Sequence, residues 1–244
     1  MEYFVDYVSS LNCGDCARKR NGLAKISLTF DNGPNAEVTP AVLDILKRRE
    51  VCATFFALGR ELAQPAGRRA LERARAEGHR VGNHTWSHAH NLAELDEPEL
   101  VAREIGATQR ELGALAEPDR LFRPFGNGGR LDRPLLGKHA LHEIARLRLT
   151  CVFWNLIVHD WSEPDGWVDR ALEGCRRLPH VLLVVHDAYA APMQHLDRFA
   201  AAAKDAGHLF VEEFPEDCVP IRDGRAVGQL AGLASVGSEA ALAA

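Results

Sequence analysis

Apolar and polar residues alternate in blocks along this chain, and the block lengths switch between those of strands and those of helices. Lys25 to Phe30 reads as a short buried strand ending at Asp31, with Gly33-Pro34 as the turn after it. Thr39-Pro40 opens a helix running to about Glu50, with Thr39 at the N-cap and Pro40 at the first helical position. Val51 to Leu58, β-branched and aromatic, is strand-like. A helix from about Ala66 to Glu77 closes at Gly78, and Arg80 to Asn83 is a brief strand that delivers His84. A long polar helix from about Glu97 to Gly113 follows, then a short strand from Arg120 to Phe122 ending at Arg123-Pro124. Residues 132–147 form a helical stretch, Thr150 to Leu156 a strand and Asp165 to Arg177 a helix. Val181 to Val185 is the clearest buried strand and ends at His186-Asp187. A helix from about Gln194 to Ala206 and a strand near 209–211 complete the pattern. The Gly/Ala-rich residues from about Val219 onward are expected to pack weakly or fray.

Strands alternating with helices predict an α/β fold of parallel strands joined by helical crossovers. In a β/α barrel the strand C-termini share one rim, where active sites lie. Asp31, His84, Arg123, His159-Asp160 and His186 each fall just after a predicted strand. That clustering argues for an enzyme over a scaffold.

Composition narrows the class. The 244 residues, 46% of them hydrophobic, suffice for one large domain, and no Pro/Gly/Ser-rich linker divides them. A net charge of -5, with Lys and Arg interspersed among acidic residues, argues against a nucleic-acid partner, which needs a clustered basic face. The longest apolar runs are strand-length, so no transmembrane helix and no membrane partner are expected. Met1-Glu2-Tyr3-Phe4-Val5-Asp6 lacks the basic n-region and apolar run of a signal peptide, so a cytoplasmic location is expected. Six cysteines are too sparse for a disulfide scaffold and read as reduced thiols, Cys13-x-x-Cys16 included. Nothing sets the oligomeric state.

The candidate chemistry begins with His84 and His88, which share one face if their segment turns helically. Such a pair, with an oxygen donor from a strand end, makes an open three-ligand metal site. Taken alone, Asp31-Asn32-Gly33-Pro34 is equally a plain turn and the two histidines ordinary loop residues.

Five segments together carry more. They are Thr29-Phe30-Asp31-Asn32-Gly33-Pro34, His84-Thr85-Trp86-Ser87-His88 after Gly82-Asn83, Phe122-Arg123-Pro124-Phe125-Gly126, Asp160-Trp161, and Val184-Val185-His186-Asp187. In this order and spacing the chain resembles the polysaccharide deacetylase family, the NodB-homology or carbohydrate esterase family four domain, over roughly Lys25 to Phe214. It departs from the family pattern twice: Asn32 stands where the first motif has a second Asp, and Ile157 where the fourth motif has its first.

The resemblance implies a distorted or incomplete (β/α)7-type barrel over residues 25–218, with residues 1–24 an N-terminal extension and 219–244 a tail. It implies hydrolysis of a carbon–nitrogen amide bond, N-deacetylation of a small or oligosaccharide N-acetylated substrate. Asp31 would be the general base, with Asn32, His84 and His88 holding Zn2+ or another divalent transition metal. His186 would be the general acid, oriented by Asp160, and Arg123 would position Asp31. Trp161, Phe125 and Pro124 would contact the substrate, and Asn127, Gly128 and Gly129 would shape access as a rim loop. His159 has no counterpart in the pattern and receives no role. Because Asn32 is neutral, metal affinity is expected to fall at least about 10–100-fold, the cost of disturbing even outer partners of a metal ligand. Two alternatives remain: a metal-independent cyclic imide or ureide hydrolase of the same fold, and a non-catalytic carbohydrate-binding relative.

Overall fold

A computed structural model describes residues 23–242 of the protein. The expectations for residues 1–22, Cys13 and Cys16 among them, lie outside the described residues. Ten strands among the described residues form one sheet. They are β1 (Lys25–Asp31), β2 (Thr54–Ala57), β3 (Arg80–Asn83), β4 (Leu121–Phe122), β5 (Thr150–Cys151), β6 (Leu156–Ile157), β7 (His180–His186), β8 (Leu209–Phe210), β9 (Ile221–Arg222) and β10 (Arg225–Ala226). Their order is β10-β9-β5-β4-β3-β2-β1-β7-β6, with β8 also on β1. All pairings are parallel except those of β9 with β10 and with β5.

The helices are α1 (Val38–Arg49), α2 (Gly59–Leu62), α3 (Pro65–Ala76), α4 (Pro98–Ala102), α5 (Thr108–Leu112), α6 (Lys138–Leu147), α7 (Trp167–Arg177), α8 (Ala190–Met193) and α9 (Leu196–Asp205). A π-helical turn, Arg103–Ala107, joins α4 to α5. The resulting distorted β/α barrel agrees with the expected fold class.

Register places the site. β1 and β7 pair over their full lengths, from Lys25 opposite His180 to Asp31 opposite His186. The ladder continues through Asp31 opposite Phe56, Ala57 opposite Asn83, and Asn83 opposite Phe122. Asp31, His84, Arg123 and His186 therefore emerge on one rim. Side-chain alternation sorts the sheet's two faces. Ile26, Leu28 and Phe30 of β1, with Val181, Leu183 and Val185 of β7, pack toward the helices beside Leu46, Trp167 and Phe199. Leu182 and Val184 face the other way, joining Phe56, Phe122, Val152 and Phe153. With both faces covered, the strands read as continuous apolar runs.

Three expectations are corrected. The strand foreseen from Thr150 to Leu156 is split, with β5 pairing β4 and β9 toward one end of the sheet and β6 pairing β7 at the other. Between them Asn155 acts as a surrogate ladder partner for β7. Its Oδ1 accepts from Leu182 N at 2.8 Å and its Nδ2 donates to His180 O at 3.0 Å. The helical stretch foreseen over 132–147 begins only at Lys138, because Leu135 and Leu136 both donate their N–H groups to Leu233 O. That contact also corrects the third expectation, for the chain beyond Val219. Val219, Ile221, Leu230, Leu233 and Ala234 are buried, and β9 covers the exposed edge of β5. The β9–β10 turn carries Asp223-Gly224, both at positive φ, the residues such a hairpin favours.

Candidate active site

Asp31 ends β1 and is 4% exposed. Its Oδ1 accepts a 2.8 Å hydrogen bond from Arg123 Nη1, and its Oδ2 lies 3.6 Å from His84 Nε2. Burial raises the carboxyl's pKa, but the Arg123 charge, then His84 and His186, outweigh it and hold the group below its ordinary value. Arg123 is fully buried in the barrel, its guanidinium 4.0 Å from the Phe56 ring centroid. It donates to Thr29 Oγ1 (2.8 Å), Val152 O (3.1 Å) and Phe153 O (3.4 Å) as well as to Asp31. Burial lowers its pKa, yet a guanidinium starts high enough to stay cationic at neutral pH. One side chain thus fixes the carboxylate and stitches the break between β5 and β6.

His186 ends β7 and donates Nδ1–H to Asp160 Oδ1 at 2.8 Å, while its backbone N–H bonds Asp160 Oδ2 at 2.8 Å. Nε2 is the nitrogen left to face the cavity. Burial would depress this imidazole's pKa, but the fully buried Asp160, then Asp31 and Asp187, raise it above the usual value. The Trp161 ring meets it edge-on, centroids 4.8 Å apart. Behind it, Asp187 is pushed up to about 6 by burial, with Asp31 adding to the rise, although it accepts the Thr39 hydroxyl proton.

The expected helical turn at His84–His88 is not met. Residues 84–90 form a loop in which Thr85 and His88 adopt positive φ of 67° and 55°. The two imidazoles still converge, with centroids 4.8 Å apart. His84 Nδ1 lies 2.9 Å from Arg123 O. A carbonyl only accepts, so Nδ1 carries the proton and Nε2 keeps its lone pair. Burial lowers the pKa of both rings, His88 to about 3, so both are neutral at pH 7. Asn32, at φ 70°, has a buried Oδ1 with no hydrogen-bond partner among the described residues.

Two neutral imidazoles and an orphaned amide oxygen suit a divalent cation, and the carbonyl behind His84 is the usual outer partner of a ligating histidine. Among the described residues no three His, Cys, Asp or Glu side chains group as metal ligands, so a cation here would need an oxygen of another kind, such as Asn32 Oδ1.

These groups line a cavity of about 200 Å³ with Gly126, Asn127, Gly128, Gly129, Trp154, Ile157, Trp161, Val184 and Tyr189. The structure therefore brings together Asp31, Asn32, His84, His88, His186 and Trp161, with Arg123 and Asp160 directly behind them. Pro124 and Phe125 do not line it, which corrects their expected place against substrate. Pro124 is buried, and Phe125 turns its ring onto His88 at 4.6 Å. Trp154 and Tyr189 escaped sequence reading because an aromatic near a strand end looks the same whether it is core or wall. Val184 was accessible from the period-2 alternation of β7. Trp154 also anchors the rim loop, donating Nε1–H to Gly129 O at 2.9 Å.

The chain matches the polysaccharide deacetylase family model over residues 18–136. It is 34% identical over 194 residues to a chitooligosaccharide deacetylase of Bradyrhizobium sp. (strain ANU 289), covering 77% of this chain and 80% of that protein. It is 30% identical over 189 residues to the peptidoglycan-N-acetylglucosamine deacetylase PgdA of Listeria monocytogenes, across 77% of this chain and 37% of PgdA. The chain thus aligns with little more than a third of that relative's length. Among solved structures it resembles a family 4 acetyl xylan esterase from Clostridium thermocellum in complex with a cobalt ion. The TM-score is 0.62 at 25% identity, over 77% of this chain and 87% of that one.

Proposed function

The chain belongs to the polysaccharide deacetylase family, and from that premise we propose that it hydrolyses the amide of an N-acetylated sugar or short oligosaccharide, releasing acetate. One observation carries the reading. A carboxyl biased toward its ionised form and an imidazole biased toward its protonated form face the same cavity, each held by a buried partner of opposite charge. That division is the usual mark of an assigned base and acid.

A divalent cation held by His84, His88 and Asn32 would supply Lewis-acid polarisation of the acyl oxygen and of water. Asp31 takes the proton of the attacking water. Arg123, bonded to Oδ1, leaves Oδ2 as the accepting atom and keeps the carboxylate ionised. His186 gives the proton on Nε2 to the departing amine nitrogen, which is otherwise a poor leaving group. Asp160 retains Nδ1–H and stabilises the imidazolium while it waits. Trp161 packs edge-on against the ring and limits its rotation. The relatives act on chitooligosaccharide and peptidoglycan N-acetylglucosamine, which supports a glucosamine-type substrate. A cytoplasmic location stays part of the proposal, resting on the sequence expectation alone.

The test is acetate release from N-acetylglucosamine oligomers with Co2+ or Zn2+ added, beside Asp31→Asn and His186→Ala. Release that both variants reduce about 10²-fold or more supports the assignment. Undiminished release from Asp31→Asn overturns it. Oligosaccharide binding without release makes the chain a carbohydrate-binding relative, and hydrolysis of cyclic imides that persists in chelator selects the metal-independent reading.

A further inference from the structure

The loop carrying His84 and His88 holds a backbone that isolated residues avoid. Thr85 is β-branched, and at φ 67° it is a genuine outlier. Such a conformation persists only where the surroundings impose it. On one side Gly59 N and Arg60 N donate to the carbonyls of Thr85 (3.0 Å) and Trp86 (3.2 Å). On the other side stands Glu104. Its Oε2 accepts from Trp86 N (3.2 Å) and Ser87 N (2.9 Å), and its Oε1 accepts from Ser87 Oγ at 2.9 Å. Glu104 is buried, lies outside the cavity, and belongs to the π-helical turn between α4 and α5. Turns of that kind occur often beside functional sites. The same turn offers Ile105 O to Asn83 Nδ2 (2.9 Å), and Asn83 Oδ1 in turn accepts from Thr85 N (3.0 Å).

We propose that Glu104 is a positioning residue. By gathering the N–H groups of Trp86 and Ser87 onto one carboxylate, the π-turn sets the approach of the His84 and His88 rings, and through it the affinity for a divalent cation. This rests on His84 and His88 being ligands, as in the proposed function. Removing the carboxylate leaves three donors to find new partners, and the loop gives way before the barrel does.

The test uses full-length Glu104→Ala, Glu104→Gln and Ser87→Ala, stripped of metal and titrated with cobalt(II) chloride alone. Cobalt visible absorption is read beside amide hydrogen exchange. Glu104→Ala should weaken cobalt binding about 10–100-fold, as loss of outer partners does, and change the spectrum. Exchange should quicken at Trp86 and Ser87 while β1 and β7 stay protected. Glu104→Gln, keeping one acceptor, and Ser87→Ala, losing one donor, should fall between; they carry the test if the alanine variant does not fold. Cobalt affinity within twofold of the unsubstituted protein, with the same spectrum, overturns the proposal. If the unsubstituted chain itself takes up no cobalt, the ligand assignment fails separately. Exchange then decides the positioning: selective loss of protection at Trp86 and Ser87 upholds it, and unchanged protection overturns it.

Discussion

Replacing Arg123 with methionine, a side chain of similar length and no charge, tests the structural logic of the barrel centre. Arg123 bonds a buried carboxylate, a threonine hydroxyl and the carbonyls of Val152 and Phe153. Breaking a buried ion pair by removing one partner costs about 3–5 kcal/mol. Each buried carbonyl left without a donor costs roughly 1–3 kcal/mol more. The expected loss is therefore at least about 5 kcal/mol, a large share of the roughly 5–15 kcal/mol by which a domain is stable. The assay is urea unfolding of metal-free protein, with the loss read as a fall in midpoint at unchanged slope.

Acidity separates the charge from the packing. In the unsubstituted protein the folded pKa of Asp31 lies below the unfolded one, so its contribution is present above about pH 4 and lost on acidification below that. In the variant, burial is opposed only by the neighbouring imidazoles and the folded pKa rises, so the ionised group destabilises. The difference between the two proteins should be greatest near neutrality and shrink as the pH falls toward 4. Adding Asp31→Asn to the methionine variant should restore part of the loss, since the uncompensated charge is then gone. A loss below about 1 kcal/mol, or one that does not change with pH, would refute the reasoning.

Three further outcomes are expected. Asp160→Asn removes the partner that raises the pKa of His186. Acetate release should fall about 10²–10⁴-fold, and the alkaline limb of the pH–rate profile should move to lower pH; an unmoved limb counts against His186 as the acid. Asn32→Asp gives the orphaned oxygen a charge, so chelator competition should show zinc or cobalt binding about tenfold tighter or better. Equal affinity would mean that residue 32 is not a ligand. Gly129 sits at φ 83°, and an added Cβ would lie 2.8 Å from Ile157. Gly129→Ala should therefore lower the thermal midpoint by about 2–8 °C and raise KM; an unchanged KM would remove the rim loop from the substrate path.

What the sequence made legible follows from the range of the forces involved. The run Val181 to Val185 can be solvated on neither face, so it identifies an inner parallel strand, and the polar residues just after such strands had to meet on one rim. The break between β5 and β6 was hidden because both halves are extended and apolar, and only distant neighbours decide which strand each joins. The spacing of His84 and His88 suggests a helix, but Glu104 imposes a different backbone from 17 residues beyond Ser87. The π-turn that presents it leaves no mark in composition. At the C-terminal end, glycine and alanine diluted the apolar signal of Leu230, Leu233 and Ala234, although Asp223-Gly224 announced a hairpin.

The stretch from β5 to β6 has a bearing on how such a protein can diversify. In an ordinary β/α barrel the walls of the substrate site are loops that lengthen or change without touching the scaffold. Here Trp154 and Ile157 stand on the backbone that joins β5, held between β4 and β9, to β6, the edge strand beside β7. An insertion between residues 150 and 157 would enlarge the wall only by parting the barrel. Variation in substrate preference is thereby channelled to the neighbourhood of the exposed Tyr189, since Gly126 and Gly129 are themselves pinned against Trp154 and Ile157.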